Sequence, residues 1–202
     1  RSVETFTVGW DTRDHPLVPR RGHFLGASLS ESGAFYGARY RWWKSIWQAR
    51  VWVPQGRVWT LAGKAEFDYM GPLHQSPQTP LEERFKLAGP STVRGWSPRS
   101  PLSPRSADSL RTPVGGDVAF SATAEVRRNI WGLASVAVFT DIGNVWSRLY
   151  RVKPSNLYPS AGAGLLVLSP VGPVRVDFGY QLRPNPYGDK RWAIHLSLGS
   201  PF

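Results

Sequence analysis

The sequence contains no cysteine among its 202 residues. A disulfide framework and thiol chemistry are therefore excluded, an absence that suits a chain crossing an oxidising periplasm. No run of about 18 apolar residues occurs anywhere, so no bilayer-spanning helix can be built. Charged residues are scarce at 19%, and acids more so than bases: 14 Asp and Glu against 25 Lys and Arg leave a net charge of +11. These cations are scattered through strand-like and loop-like stretches rather than gathered in one stripe. That distribution argues against nucleic-acid binding and for attraction to anionic lipid head groups. Mean hydropathy is only −0.31, too low for a bundle of membrane helices. A transmembrane barrel escapes this measure, because lipid-facing apolar and lumen-facing polar residues cancel within each strand.

What is present points to many strands and many turns. Aromatics make up 13% of the chain, including ten Trp, and 20 Gly with 18 Pro supply breaks. Trp and Tyr favour membrane interfaces, where an apolar ring meets water at one edge. Period-two alternation is clearest over residues 57–69, where Trp59, Leu61, Ala65 and Phe67 alternate with Thr60, Lys64, Glu66 and Asp68. Upstream, Trp43, Trp47, Ala49, Val51 and Val53 oppose Lys44, Gln48 and Arg50. The same pattern returns with Val118, Phe120, Ala122, Ala124 and Val126 against Asp117, Ser121, Thr123, Glu125 and Arg127. It returns again with Val174, Val176, Phe178 and Tyr180, and with Trp192, Ile194, Leu196 and Leu198. Less regular candidates cover residues 3–11, 22–31, 133–142 and 158–168.

The fold class predicted is all-β: an antiparallel transmembrane barrel of about nine strands, forming a single domain over residues 1–202. Short connections are expected at Pro54-Gln55-Gly56, at Arg128-Asn129-Ile130 and over residues 169–173. The longest, residues 71–115, holds eight of the 18 prolines and no alternation. A loop of that length in a compact domain is normally functional or disordered. A soluble sandwich would show similar periodicity. Strand length and the contrast between tight turns and generous loops favour the barrel.

Within the long loop stands Arg84-Phe85-Lys86-Leu87-Ala88-Gly89-Pro90-Ser91-Thr92-Val93-Arg94-Gly95-Trp96. It closely resembles the V-R-G-aromatic signature of the BamA/TamA-type superfamily of outer-membrane assembly factors. Gly115-Gly116, the segment Phe139-Thr140-Asp141-Ile142-Gly143-Asn144-Val145-Trp146 and residues 169–179 add to the resemblance, in family order, as do Asp11-Thr12-Arg13-Asp14 and the terminal Phe202. The family's Gly-Gly before the tetrapeptide is here Ala88-Gly89-Pro90.

The resemblance implies the C-terminal part of a larger barrel in the bacterial outer membrane; as a departure from the family pattern, no periplasmic docking repeats are expected before it. It implies that the long loop, extracellular in origin, folds back into the lumen. There Val93, Arg94, Gly95 and Trp96 would lock onto the inner wall, Arg94 meeting Glu125 and Asp141. A guanidinium offers five donors in a fixed fork suited to two carboxylates. Without the resemblance, Arg94 reads as a solvated loop cation, and Glu125 and Asp141 pair with neighbours such as Arg127. The remaining inward charges, Lys44, Arg50, Lys64, Glu66, Asp68, Arg175 and Asp177, read as a structural network.

The function so implied is an insertase or translocation pore for unfolded outer-membrane protein clients, working through a lateral seam at the last strand. Gly199, Pro201 and Phe202 would form that seam, because Pro201 lacks an N–H for the ladder and Gly199 sits where such strands kink. No cofactor, metal or catalytic residue is expected. A passive porin-like channel is one alternative and a hydrolase barrel another. The hydrolase needs a placed nucleophile and base, whereas His15, His23, His74 and His195 lie in unrelated contexts. Counting strands gives an odd number, whereas bacterial single-chain barrels are even-numbered. The chain is therefore expected not to close alone: another chain, or strands preceding these, would complete the wall.

Overall fold

A computed structural model describes residues 2–33, 41–73, 76, 78–97, 114–170, 172–184 and 190–198. Nine strands follow one another: β1 (Glu4–Asp11), β2 (Gly22–Ser32), β3 (Trp42–Gln55), β4 (Trp59–Pro72), β5 (Val118–Trp131), β6 (Ala134–Trp146), β7 (Tyr158–Ser169), β8 (Gly172–Gln181) and β9 (Trp192–Leu198). Each pairs antiparallel with the next, giving one sheet in sequence order that is open between β1 and β9. Three single 3-10 turns, Leu81–Glu83, Leu149–Arg151 and Pro154–Asn156, are the only helical segments among the described residues.

Register explains the alternation. Leu25, Ala49, Ala65 and Ala122 form one outward row across four strands, and Ala27, Trp47, Phe67 and Phe120 form the next. On β9 the contrast is direct: Ile194 is 62% exposed and Leu196 70%, while His195 between them is 6%. Large apolar side chains left in the open on every strand would be costly in water. They are at home against lipid. The paired backbone between them satisfies the second demand of hydrocarbon, which offers no hydrogen bonds.

The connections fall at two ends. β1 to β2, β3 to β4, β5 to β6 and β7 to β8 are joined at a turn end, and β2 to β3, β4 to β5, β6 to β7 and β8 to β9 at a loop end. Several expected boundaries move. Arg128-Asn129-Ile130 is not a turn: it continues β5, and the chain reverses at Gly132 and Leu133. Asn129 instead braces the hairpin from within the strand, its Nδ2 donating to Gly132 O and Ser135 Oγ, both at 3.4 Å, beside a register shift. Pro54 and Gln55 still pair with β4, leaving Gly56, at φ +70°, to begin the turn. Ser169 likewise pairs with Gly172, and Pro173 lies inside β8. The long connection begins after Pro72 and ends before Val118 rather than spanning 71–115. At Pro54, Asn129, Ser169 and Pro72 ladder bonding extends a strand into residues whose types favour turns. β5, by contrast, begins only at Val118, two residues beyond Gly116, which is held by its bridge to Phe85.

Not every Trp sits at the membrane interface. Trp42, Trp52 and Trp96 are at most 2% exposed and face the interior. Trp52 packs with Ala62 and Phe24, and the Arg50 and Arg13 guanidiniums lie 5.2 Å and 5.5 Å from the centre of the Phe24 ring. These cations pack on rings within a lumen filled by side chains.

Candidate functional site

The interior site is built from the long connection inward. Phe85 and Gly116 exchange backbone hydrogen bonds of 2.9 and 3.0 Å, closing the connection at its base. Gly89, at φ +114°, then allows a tight reversal in which Thr92 N donates to Gly89 O at 3.3 Å. Val93 and Trp96 bury completely with Leu87, Ala119, Val145 and Tyr158, and the Trp96 and Tyr158 rings meet edge to face at 5.4 Å. This apolar contact aims Arg94 across the lumen.

Arg94 is 1% exposed and uses its whole fork. Nε and Nη2 donate to the two oxygens of Asp141, each at 2.8 Å, and the Arg94 backbone N–H adds a third bond to the same carboxylate at 3.0 Å. Nη1 donates to Glu125 Oε2 at 3.0 Å and stands 3.5 Å from Asp177 Oδ1. The guanidinium carbon lies 3.2 Å from the centre of the Phe139 ring, so one face of the cation is stacked while its edge bonds.

The carboxylates are shared. Arg175 donates to both oxygens of Glu125 at 3.0 and 2.7 Å, and to Asp177 from Nε at 2.7 and 2.9 Å. Arg127 binds Glu125 as well. The result is three guanidiniums against three carboxylates, all buried, with no net charge. Such a cluster is tolerable inside a protein because Arg94, Arg175, Glu125 and Asp177 each meet two or more opposite charges; removing one member leaves a buried charge uncompensated.

Backbone contacts complete the anchorage. Gly95 N–H donates to His195 Nε2 at 3.1 Å, and Gln181 Nε2 donates to Gly95 O at 2.8 Å. Gly95 holds φ +90°, and a Cβ on Gly179 of β8 would fall 2.4 Å from Gly95 N. The loop backbone thus lies directly on the strand backbone, with no room for a side chain between them.

The structure brings Val93, Arg94, Gly95 and Trp96 together with Glu125 and Asp141. Gly199, Pro201 and Phe202 lie outside the described residues. The sequence reading did not assign Arg175, Asp177, Gln181, His195 or Phe139 to the site. Arg175 and Asp177 had been placed inward as part of a general network. The missed signal is Gly162 and Gly164 on β7, whose empty inner face lets β8 side chains reach β5; a Cβ on Gly164 would lie 2.0 Å from Asp177 Oδ1. Elsewhere the loop is tied to the wall by Lys44 to Glu83 at 3.1 Å and Lys64 Nζ to Ser91 O at 2.7 Å. The described histidines are all engaged structurally: His15 Nδ1 accepts from Leu17 and Val18 N–H, and His23 packs edge to face on Trp10.

One consequence is measurable. Gln181→Leu leaves Gly95 O without its side-chain donor in a buried place and should cost about 1–3 kcal/mol of loop anchorage. Amide exchange in the loop should accelerate without loss of the strand ladder; unchanged exchange would show that the bond contributes nothing.

An antiparallel sheet with apolar side chains turned outward, an interior filled by charge networks, and a loop locked inside is the wall of an outer-membrane β-barrel. The Omp85 superfamily domain matches residues 2–202, and the chain belongs to that superfamily. Over 97% of its length it is 24% identical to the outer membrane protein assembly factor BamA of Neisseria meningitidis serogroup B, of which it spans 28%. Among solved structures, BamA from Haemophilus ducreyi lacking POTRA domains 1–3 superposes over 97% of this chain and 42% of that one, with a TM-score of 0.72 at 17% identity. CdiB from Acinetobacter baumannii superposes over 98% of this chain and 33% of that one, with a TM-score of 0.60 at 14% identity. These two likenesses establish the fold.

Proposed function

We propose that this chain is the locked-loop part of an insertase that assists unfolded outer-membrane protein clients into the membrane, without nucleotide, metal or covalent chemistry. The observation that carries the reading is the complete burial of Arg94 on the inner wall. It supports a loop that is a working part of the lumen rather than a surface excursion. The loop end is then extracellular and the turn end periplasmic, since membrane barrels have generous loops outside and short turns inside.

The seam in this proposal lies at β9. Its described residues pair with β8 from Tyr180↔Trp192 to Val174↔Leu198, and on its other side β9 has no partner strand among the described residues. A terminal strand held on one side only can open, and an opened edge can template an incoming strand. The opposite edge favours a wall completed by further strands: all eight residues of β1 are exposed, although an unpaired edge cannot face lipid. Preceding strands or a second chain would supply them.

The test is client insertion into vesicles by the protein and by Gly199→Val/Pro201→Val, which adds strand propensity and a ladder donor. Insertion should slow while the barrel stays folded. Unimpaired insertion would refute the seam, and large steady single-channel conductance with no insertion would favour the passive channel.

A further inference from the structure

At the loop end of β6–β9 the described residues of two connections meet. Arg183, in the β8–β9 connection, donates from Nη1 to Ser155 O at 3.1 Å and Leu157 O at 3.4 Å, both in the β6–β7 connection. Residues 147–157 and 182–191 carry six cations, Arg148, Arg151, Lys153, Arg183, Lys190 and Arg191, against one carboxylate, Asp189. The first five are exposed and Arg191 is half-buried. None of them takes part in the salt bridges formed between described residues.

Two outward rings, Tyr180 and Trp192, fix the height of the adjoining cations relative to the membrane, while Tyr158 anchors Arg183 from the interior side. Arg183 lies over Tyr158 at 4.9 Å, Arg191 over Tyr180 at 5.1 Å and Lys190 over Trp192 at 5.4 Å. Tyr180 and Trp192 pair across β8 and β9 at the loop end of the outward apolar rows, where aromatic rings mark the boundary between hydrocarbon and head groups. Leu149 and Tyr150, 51% and 71% exposed, set apolar surface among the cations. The turn end is built differently. There carboxylates are interleaved: Asp11 pairs with Arg13 at 2.6 Å, and Asp14 accepts the backbone N–H groups of Arg20 and Arg21.

We propose that this rim of β6–β9 is a binding surface for phosphate-bearing lipid head groups in the leaflet it faces. Guanidiniums supply paired donors that match phosphate oxygens, and the rings below them hold those donors at head-group depth. The surface borders the last strand, so bound lipid would stand beside β9. The inference rests on outer-membrane placement and not on the insertase reading, and its test needs no client.

The test is a titration of the full protein in neutral detergent with diphosphoryl lipid A, with its dephosphorylated form, and with inorganic phosphate as competitor. The protein should prefer the phosphorylated lipid. Arg148→Gln/Arg151→Gln/Lys153→Gln should weaken that binding on the order of a hundredfold at low salt, taking each cation as an independent contribution near a charged surface. Arg21→Gln/Arg57→Gln/Arg128→Gln, which removes equal charge at the turn end, should leave it unchanged. Heat-modifiable gel mobility checks that both variants stay folded. Equal loss in the two variants would reduce the effect to net charge and overturn the site. Equal binding of dephosphorylated lipid would also overturn it, as would displacement by inorganic phosphate as effective as the lipid itself.

Discussion

Arg94→Ala should release the loop from the wall. The substitution strips Asp141 of two side-chain hydrogen bonds and Glu125 of one, puts the backbone bond to Asp141 at risk, and leaves three buried carboxylates facing two guanidiniums. That backbone bond is lost only if the segment moves. Breaking a buried ion cluster by removing one partner costs about 3–5 kcal/mol. That exceeds what the remaining Gly95 contacts can restore, at about 1 kcal/mol net for each hydrogen bond. Trypsin cleavage after Arg84 or Lys86, in the described part of the loop, should accelerate, and client insertion should fall with it if the loop is part of the machinery. Arg94→Lys should be nearly as damaging, because an ammonium cannot serve two oxygens of Asp141 and one of Glu125 while stacking on Phe139. Unchanged cleavage and insertion in both variants would dismiss the lock as a working element.

The second large effect needs no change of charge. In Gly179→Val the new Cβ would sit 2.4 Å from Gly95 N and 2.8 Å from Arg94 C, and both contacts are backbone. Neither can swing aside as a side-chain end would. The loop must lift, and with it go the His195 and Gln181 bonds to Gly95 and the aim of Arg94 at Asp141. Overpacking of a tight contact costs about 1–3 kcal/mol, and more where backbone is pushed. The variant should therefore reproduce the protease sensitivity of Arg94→Ala. Gly132→Ala is the control, since a Cβ there meets nothing within 4 Å. Wild-type protection in Gly179→Val would mean that the loop does not rest on β8 in the membrane.

The two variants also separate electrostatics from contact. Arg94→Ala combined with Asp141→Asn should recover part of the anchorage, because the unpaired carboxylate is removed along with the cation. Gly179→Val should gain nothing from Asp141→Asn, since its fault is steric.

Strand identity was legible because period two has a direct physical cause: successive side chains point to opposite faces, so Trp59, Leu61, Ala65 and Phe67 had to share one environment. Turn positions were less legible. Asn129 and Pro54 carry turn chemistry, yet both lie in strands, because ladder bonding outweighed local preference. The Arg94 contacts with Asp141 and Glu125 followed from a motif. Nothing in local patterning singles out Arg94 from the other cations of its loop.

By itself the sequence determined the alternation, the inward and outward faces of each strand, the absence of a spanning helix, and the family signature around Arg94. Those depend on neighbours within one strand or one loop. Only the tertiary structure decided that Arg175 and Asp177 of β8 reach Glu125 of β5 across two intervening strands. It also decided that Gly95 lies on Gly179, and that the β6–β7 and β8–β9 connections join into one basic rim. Such contacts depend on register, on the glycines that leave the β7 wall bare, and on the path of a loop through the lumen. Each joins residues distant in the chain, and no local period encodes their meeting.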